Sequence, residues 1–515
     1  MTAAKGAGRQ APPATMVIFG AAGDLTKRLV VPALYNLVRA GGLSDKFSII
    51  GVDRSGLSTE TWRQSLTGEM QALVQSGGGE FQAEHTDQRA WEWLTSRMRY
   101  LRGDFTDPET YSQLNALMAE QNREHGGNAV FYLATADRFF CEIIDKLGHA
   151  GLTTQPEGAW RRVIIEKPFG HDLPSAMALN ERILKVLSED QIYRIDHFLG
   201  KEPVQNIMVL RFANGIFEPL WSRHHVDHIQ ITVAETVGVE GRGRFYEQTG
   251  ALRDMMPNHL FQLLAMIAME PPSSFRCDAV RTKKTELFQA IHPISPSDAV
   301  RGQYGPGTVL GRPVEGYRLE PGVAPDSTTE TYVALKAGID NWRWAGVPFY
   351  LRTGKHLPGR TTEIAIQFRQ APYALFRDTP VERLPPNILT LRIQPDEGLA
   401  TTFSAKRPGA EIKIDGVAMN FSYRDYFEPL AAVGYETLIH DCLLGDATLF
   451  QRADTVDAAW RALQGLIEAW ANGPAPNFPN YASGSAGPEE ADALIARDGR
   501  AWRPIGGNSR TERSS

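Results

Sequence analysis

The stretch from Met16 to Lys27, MVIFGAAGDLTK, decides the fold of the first part of the chain. Its four leading apolar residues predict a buried strand that runs directly into the glycine turn Gly20–Gly23. From Asp24 the apolar residues recur at helical spacing, so a strand, a turn and a helix follow one another. A helix N-terminus has unpaired N–H groups and a partial positive charge, which suit a pyrophosphate. Because the spacing is GxxG and not GxGxxG, a tight turn without a ligand is the alternative.

Further strand-like runs alternate with helical patterns on the C-terminal side of this turn. They lie at Phe47–Val52, Met98–Leu101, Asn128–Ala134 and Arg162–Ile165. Strands that alternate with helices predict βαβ units and a parallel sheet covered on both faces. After about residue 200, strand-like segments such as His228–Ala234 and Thr362–Phe368 are often separated by turns alone. The second part is therefore predicted to be α+β with a mostly antiparallel sheet.

The predicted organisation has four segments. Residues 1–15, rich in Ala, Gly and Pro, are expected to be a flexible leader, and residues 16–197 a Rossmann-like dinucleotide-binding domain. Residues 198–475 are expected to form the larger α+β domain. Residues 476–515 are rich in Gly, Pro, Ser and Asn and predict an irregular tail, apart from the helical pattern at Glu489–Arg497.

The composition excludes several classes of protein. The chain has 515 residues, 42% hydrophobic and 22% charged, which are ordinary values for a globular protein. A net charge of −6 argues against a protein that coats nucleic acid or binds anionic membranes. The three cysteines, Cys141, Cys277 and Cys442, lie far apart and predict reduced thiols in the cytoplasm. No apolar segment typical of a signal peptide or membrane span is seen, so we expect neither.

The second predicted strand is followed by Asp53-Arg54, at the position where dinucleotide-binding domains hold the adenosine ribose. An acidic residue there binds the ribose hydroxyls of NAD, whereas an arginine pairs with the 2′-phosphate of NADP. Arg54 favours NADP, and Asp53 keeps NAD use open. A solvated turn that binds neither is the alternative.

Two polar segments carry candidate site residues. Lys167 follows the fifth predicted strand, and ligands bind at the carboxyl ends of parallel strands. The segment RIDHFLGKE, Arg194–Glu202, contains His197 and Lys201 four residues apart, so one helical turn would place both on one face. Such a cationic pair suits a phosphate dianion. A loop lysine and a salt-bridged surface turn are the alternatives.

His259 lies where a strongly apolar helix begins. A histidine titrates near neutral pH and is the usual general base, and a carboxylate on its second nitrogen fixes the tautomer. A buried histidine with a purely structural role is the alternative. His224, His225 and His228 do not predict a metal site, because alternate residues of a strand face opposite ways.

Taken together, these segments resemble the glucose-6-phosphate dehydrogenase family, the NADP-linked enzymes of the first step of the oxidative pentose phosphate pathway. The motifs run in the family's order: GAAGDLTKR (20–28), EKPFG (166–170), RIDHFLGKE (194–202), EGRGRFYE (240–247), RDMMPNHLFQ (253–262) and LRTGKHLPGR (351–360). The ordered set is far more specific than any one motif.

The resemblance implies a role for each matching residue. His259 would take the proton of the sugar C1 hydroxyl, Asp196 would orient His259, and Lys167 would lie between sugar and nicotinamide. Glucose 6-phosphate would be bound by Lys167, His197, Lys201, Glu235, Asp254, Lys355, Arg360 and Gln394. NADP would be bound by Gly20, Ala21, Ala22, Gly23, Asp24, Leu25, Thr26, Lys27, Arg54, Gly103, Asp104 and Lys167. No metal is implied, and the α+β domain would form a homodimer or homotetramer through its sheet.

This chain departs from the family pattern at four places. Phe198 replaces a usual tyrosine, Pro257 removes a backbone donor just before His259, Asp53 takes a usually small neutral position, and Leu133–Asp137 replaces a usual ALPP segment. The resemblance implies oxidation of D-glucose 6-phosphate to 6-phospho-D-glucono-1,5-lactone. A dehydrogenase of another aldose or aldose phosphate, or a non-catalytic nucleotide-binding homologue, are the alternatives.

Overall fold

The computed structural model describes residues 9–76, 85–377, 379, 381, 384–427, 434–474 and 477–506. Most of the predicted leader and the end of the predicted tail lie outside these residues. The strands of the N-terminal sheet are β1 Ala14–Phe19, β2 Phe47–Asp53, β3 Met98–Arg102, β4 Ala129–Leu133, β5 Arg161–Ile165 and β6 Ile192–Arg194. Its helices are α1 Val31–Arg39, α2 Thr59–Ser76, α3 Gln88–Ser96, α4 Pro108–His125, α5 Phe140–His149 and α6 Leu173–Leu184.

The N-terminal sheet is parallel throughout and has the strand order β3-β2-β1-β4-β5-β6. Every residue of β1 and β4 is buried, because both faces of the sheet are covered. The strand order reverses between β1 and β4, and ligands bind at such a switch point, outside the carboxyl ends of the strands. The predicted Rossmann-like domain is confirmed.

The glycine turn after β1 packs directly on the chain that leaves β4. Gly20 has a φ of +89°, and a Cβ on this residue would lie 2.2 Å from the carbonyl oxygen of Ala134. Only glycine adopts this conformation easily and allows so close an approach. The Thr26 hydroxyl donates to the Gly20 carbonyl oxygen at 2.8 Å and closes the turn.

The second domain contains the longer sheet. Its helices are α7 Glu202–Phe212, α8 Gly243–Met255, α9 Phe261–Ala268, α10 Cys277–Gln289, α11 Tyr435–Leu444, α12 Ala453–Asn472 and α13 Glu489–Ala496. Its strands are β7 Val226–Ala234, β8 Ala299–Gly302, β9 Tyr304–Gly305, β10 Gly307–Val309, β11 Arg312–Val314, β12 Tyr332–Ala337, β13 Phe349–Gly354, β14 Thr361–Phe368, β15 Ile388–Gln394, β16 Gly398–Lys406, β17 Ile414–Ser422 and β18 Tyr481–Ala482.

Eight of these strands form one sheet with the order β17-β16-β15-β14-β7-β13-β12-β8. Within this sheet of described residues only β7 and β13 run parallel, so the prediction of a mostly antiparallel sheet is confirmed. Among the described helices, none is long and apolar enough to cross a membrane.

Helix α9 is buried along its whole length and is the centre of the second domain's helical layer. A buried helix end needs partners for its last carbonyl groups. The indole N–H groups of Trp221 and Trp344 donate to Ile267 and Ala268 at 2.6 and 2.7 Å, and Arg211 donates to Met266 at 3.0 Å. These bonds hold α9 in place, and with it the segment that carries His259.

Between α8 and α9 the chain forms one π-helical turn, Met256–Leu260. Pro257 lies at the start of this turn, where its missing N–H group disturbs the α-helical pattern. All five residues of the turn are buried. The turn therefore aims His259 out of the helical layer, as π-turns often do at functional sites.

The segment after residue 475 is more regular than predicted. It contains β18, which pairs with β9, and helix α13, and it packs on the long sheet. Arg503 pairs with Glu363 at 3.2 Å, and the Trp502 indole donates to Ala491 at 2.8 Å. These long-range contacts order a sequence whose Gly, Pro, Ser and Asn content alone predicts an irregular chain.

Candidate active site

The carboxyl ends of β5 and β6 bring Lys167 and Asp196 side by side. The two strands are neighbours in the parallel sheet, and the Ile195 amide still donates to Ile165 at 2.9 Å. Parallel pairing therefore places the residues that follow both strands at one edge of the sheet. The π-turn of the second domain delivers His259 to the same edge, where it contacts both residues.

His259 and Asp196 form a buried hydrogen-bonded pair. His259 Nδ1 lies 2.6 Å from Asp196 Oδ1, and the two side chains are 2% and 0% exposed. Burial would raise the pKa of Asp196, but His259 holds it at about 2, so the group is a carboxylate. Burial lowers the pKa of His259, and Asp196 opposes this change. The neutral ring donates a hydrogen bond from Nδ1–H to Asp196, which leaves the lone pair on Nε2.

Lys167 faces the free nitrogen of this imidazole. Its Nζ atom lies 2.9 Å from His259 Nε2 and donates to Asp254 Oδ1, also at 2.9 Å. Burial lowers the pKa of Lys167, but Asp254 and Asp196 outweigh it, so the net pKa is raised and the amine is charged. The Nε2 lone pair is thus a hydrogen-bond acceptor, as a general base requires.

His197, Phe198 and Lys201 line the next part of the site. The Phe198 ring stacks on the His259 imidazole with centroids 4.1 Å apart, and the Lys201 Nζ lies 4.7 Å from the Phe198 ring centroid. His197 lies parallel to the Tyr435 ring at 6.1 Å. Burial and the neighbouring His259 and Lys201 lower the pKa of His197 strongly, so its ring is neutral. Because Phe198 stacks on the His259 ring, it shields the base with an apolar face.

Glu235 and Lys355 meet because β7 and β13 are parallel neighbours. Ala234 pairs with Gly354, so the next residue of each strand emerges at the same edge. The Lys355 ammonium donates to the Glu235 carboxylate. Asp254 lies between this pair and Lys167: burial would raise its pKa, but Lys167 and Lys355 hold it well below its ordinary value.

Two sequence-predicted residues do not join this cluster. Arg360 is exposed beside the start of β14 and forms no hydrogen bond or ion pair with any described residue. Gln394 ends β15 and pairs across the strands with Thr362. Their roles stay predictions, since neither side chain is placed by contacts with the histidine pair.

The predicted cofactor residues lie at the ends of β1, β2 and β3. Asp53 Oδ2 accepts from the Ala22 amide at 3.2 Å, and Asp53 Oδ1 accepts from the Ser55 amide at 3.1 Å and its hydroxyl at 2.9 Å. Asp53 thus braces the glycine turn through Oδ2 and its own following turn through Oδ1. The neighbouring Arg54 is exposed.

Gly103 and Asp104 follow β3 beside this loop. The Gly103 amide donates to Asp53 at 3.0 Å, and a Cβ on Gly103 would lie 2.4 Å from the Thr110 side chain. The Thr106 amide and hydroxyl, with a smaller effect of the Arg54 guanidinium, lower the pKa of Asp104. Arg54 and Asp104 therefore lie at the same corner of the sheet edge.

Sequence reasoning gave no role to Glu166 or Tyr435. Glu166 is buried beneath Lys167, where the Tyr132 hydroxyl donates to it, and burial raises its pKa to about 7 despite Tyr132 and Lys167. The position of Glu166 directly after a buried strand is the sequence feature that could have indicated a place in the site. Tyr435 carries no such signal, because it comes from α11, far away in the chain.

The possible metal-binding atoms of Asp196, His197 and His259 lie within 4.8 Å of one another, close enough to bind one metal ion. However, Nδ1 of His259 is already bonded to Asp196, and the charged Lys167 amine lies 2.9 Å from Nε2. A dication there would meet this ammonium at close range. The geometry suits proton transfer better than metal coordination.

Comparisons with known proteins agree with this geometry. The model for "Glucose-6-phosphate dehydrogenase, NAD binding domain" matches residues 17–206, and that for "Glucose-6-phosphate dehydrogenase, C-terminal domain" matches residues 208–503. The chain belongs to the glucose-6-phosphate dehydrogenase family. Family membership explains why motifs that are far apart in the sequence contribute side chains to one cluster.

Individual relatives cover nearly the whole chain. Glucose-6-phosphate 1-dehydrogenase of Chlamydia pneumoniae is 46% identical over 505 residues, 96% of this chain and 97% of the relative. The Bacillus subtilis enzyme is 43% identical over 499 residues, 96% and 99% of the two chains. A solved glucose-6-phosphate dehydrogenase in complex with its substrate glucose 6-phosphate is 33% identical, with a TM-score of 0.87 over 96% of this chain and all (100%) of the other.

Proposed function

We propose that this chain oxidises β-D-glucose 6-phosphate to 6-phospho-D-glucono-1,5-lactone with NADP as the oxidant. The observation that carries the proposal is the buried Asp196–His259 pair, whose second nitrogen faces the charged Lys167 at the carboxyl edge of the dinucleotide-binding sheet. The names of the relatives point to the same reaction.

In the proposed mechanism His259 Nε2 takes the proton of the C1 hydroxyl as the C1–O double bond forms. Asp196 stabilises the resulting imidazolium through the 2.6 Å contact with Nδ1. Lys167 gives up its contact with Nε2 when the hydroxyl binds, and its ammonium then stabilises charge on the C1 oxygen. When bound, NADP accepts the hydride that leaves C1.

The sugar phosphate is proposed to bind along the rest of the cluster. Lys201 supplies a positive charge to the 6-phosphate, and the neutral His197 donates a hydrogen bond. Asp254, Glu235 and Lys355 would bind sugar hydroxyls. Arg360 and Gln394 are proposed as outer contacts from the neighbouring strands.

The glycine turn is proposed to hold a dinucleotide because it follows β1 at its carboxyl end, beside the point where the strand order reverses. Gly20, Ala21, Ala22, Gly23, Asp24, Leu25, Thr26 and Lys27 would hold the pyrophosphate, with Gly103 and Asp104 near the adenosine. Because Asp53 directs both oxygens to backbone and serine donors, the exposed Arg54 is left to meet a 2′-phosphate. NADP is therefore the proposed coenzyme, and NAD the weaker alternative.

Arg54→Ala should raise KM for NADP by about 10-fold to 100-fold, because it removes a charge-assisted bond to the 2′-phosphate. KM for NAD should change less than about threefold, since NAD lacks that phosphate. Initial rates with each coenzyme measure both values, with Arg39→Ala as a control for loss of an exposed arginine. Equal effects on both coenzymes would contradict the assignment.

The function is tested by following absorbance at 340 nm with purified protein and each coenzyme. Glucose 6-phosphate should give a rate at least ~10²-fold above galactose 6-phosphate or glucose at equal concentration. A higher rate on another aldose would favour the related-dehydrogenase alternative. No reduction of either coenzyme with any of the sugars would favour a non-catalytic homologue.

We also propose a homodimer or homotetramer, formed through the long sheet. The face of β17 supports this, since Met419 is 58% exposed and Phe403 and Val417 lie beside it with 39% and 37% exposure. Such an exposed apolar group marks a protein contact. The three free thiols support a reducing, cytoplasmic location.

Met419→Lys should convert the oligomer to monomers at micromolar concentration, because it places a charge within the proposed apolar contact. Light scattering after size-exclusion chromatography measures the mass. Leu310 is 74% exposed and lies in the turn between β10 and β11, away from β17, so Leu310→Lys should leave the mass unchanged. A monomeric wild-type protein, or an unchanged Met419→Lys oligomer, contradicts the proposed interface.

A further inference from the structure

The buried carboxylate of Asp196 has one oxygen that the histidine pair does not use. Asp196 Oδ1 is bonded to His259 and accepts from the Phe198 amide at 3.1 Å. The other oxygen, Oδ2, is fully buried and has no hydrogen-bond partner among the described residues. A buried carboxylate oxygen without a donor is unfavourable unless nearby positive charge stabilises it.

Gln262 and Lys284 supply polar groups on this side. Gln262 lies three residues after His259, in α9, and is 1% exposed. Its side-chain oxygen is 3.5 Å from the Lys284 Nζ, which comes from α10 and is 3% exposed. Gln262 Nε2 is a second buried atom that has no partner within the described chain. Gln262 and Lys284 thus form a buried polar pair inside the apolar layer around α9, and the charge of Lys284 interacts with that of Asp196.

The charges of Asp196 and Lys284 are coupled. Burial lowers the pKa of Lys284 to about 8, Asp196 acts against this change, and Arg281 acts with it. Lys284 is therefore an ammonium at neutral pH. A buried ammonium that interacts with the carboxylate of the histidine pair stabilises the ionised form of that carboxylate.

We propose that Lys284, held by Gln262, is a positioning residue that acts as a further counter-charge of Asp196, besides His259 and Lys167, and so tunes the proton affinity of His259. This inference rests on the proposed function, because its effect is read through His259 as the general base. Lys284 does not touch His259, and we assign it no direct part in the reaction.

The sign of the effect follows from the charges around the base. The groups that act on His259, Asp196 and Lys284 are Lys167, Glu166, Asp254, His197 and Arg281, and Lys201 acts on His197. Loss of the Lys284 charge leaves this balance more negative, which favours the imidazolium and raises the pKa of His259. Since the base must be neutral, the acid limb of the kcat/KM profile moves to higher pH.

Lys284→Met should shift this acid limb upward by about one pH unit, the size expected for one nearby buried charge. Activity relative to wild type should fall up to about tenfold near pH 6 and recover towards pH 9, where His259 is neutral in both proteins. Lys283→Met is the matched control. Lys283 is the adjacent residue of α10 and pairs with Glu286 near the surface, so its loss should leave the profile unchanged.

A second variant keeps the test decisive if Lys284→Met fails to fold. Gln262→Glu has nearly the same shape and puts a carboxylate against the Lys284 ammonium, so it should also shift the acid limb upward. A loss of activity that is equal at every pH, or an unshifted limb in the folded variants, overturns the inference. Absence of sugar phosphate oxidation by the wild-type protein would instead defeat the proposed function.

Discussion

His259→Asn should lower kcat by about 10²-fold to 10⁴-fold, the contribution typical of a general base. The asparagine amide can still donate to Asp196, so the buried carboxylate keeps a partner, but no nitrogen remains to accept the hydroxyl proton. The Kd for glucose 6-phosphate should change only a few-fold, because the phosphate contacts are intact. Stopped-flow measurement of turnover and calorimetric titration of the sugar phosphate separate the two effects.

The chain offers a close control for this variant. His228 is also buried, and its Nδ1 lies 2.7 Å from Asp227 Oδ2, but the pair is on β7, outside the cluster. His228→Asn should keep kcat within about threefold of wild type while lowering the melting temperature. Near-normal turnover of His259→Asn would show that another group is the base.

Lys201→Ala should raise KM for glucose 6-phosphate by about 10²-fold or more, because losing one partner of a buried charge pair costs about 2–5 kcal/mol. The phosphate is remote from C1, so kcat should fall much less than kcat/KM. Initial rates over a wide range of sugar phosphate concentration measure both constants.

Two comparisons check that this effect belongs to the phosphate. Lys283→Ala removes a half-buried lysine of α10 that lies outside the cluster, and it should leave KM unchanged. Any oxidation of free glucose should be equally slow in wild-type protein and in Lys201→Ala, since that substrate has no phosphate. A fall in kcat with KM unchanged would place Lys201 at the reacting atoms and contradict the proposal.

The pH dependence expected of the wild-type protein follows from the same pair. Burial lowers the pKa of His259 below its ordinary value, so the base stays neutral, and the rate stays high, to a lower pH than for an exposed histidine. Below that pKa the imidazolium cannot accept a proton, and kcat/KM falls. The acid limbs of Lys284→Met and Gln262→Glu are compared with this wild-type limb.

Local sequence pattern was enough to predict the N-terminal sheet and its glycine turn. The apolar run Met16–Phe19, the turn and the following helix are consecutive in the chain, so their geometry depends on neighbouring residues. Lys167 and Arg54 were predicted for the same reason, because each follows a strand. The residues after parallel strands must emerge at one edge of the sheet.

Contacts between distant segments were beyond that reasoning. Spacing alone left His259 as a candidate core histidine, and its pairing with Asp196 was implied only by the family resemblance. Local pattern also could not predict that Tyr435 packs against His197 or that the segment after residue 475 is ordered. Each depends on residues that approach from far along the chain.

The amino-acid sequence alone predicts five strands of the N-terminal sheet in their order, the carboxyl-edge position of Lys167 and the family to which the chain belongs. Three features depend on the packed fold: Asp53 turns back to brace the glycine turn, Phe198 stacks on the base, and Lys284 is buried against Gln262. The physical reason is that periodicity and turn chemistry act over a few residues, whereas burial and charge pairing join whichever side chains the packed helices and sheets bring together.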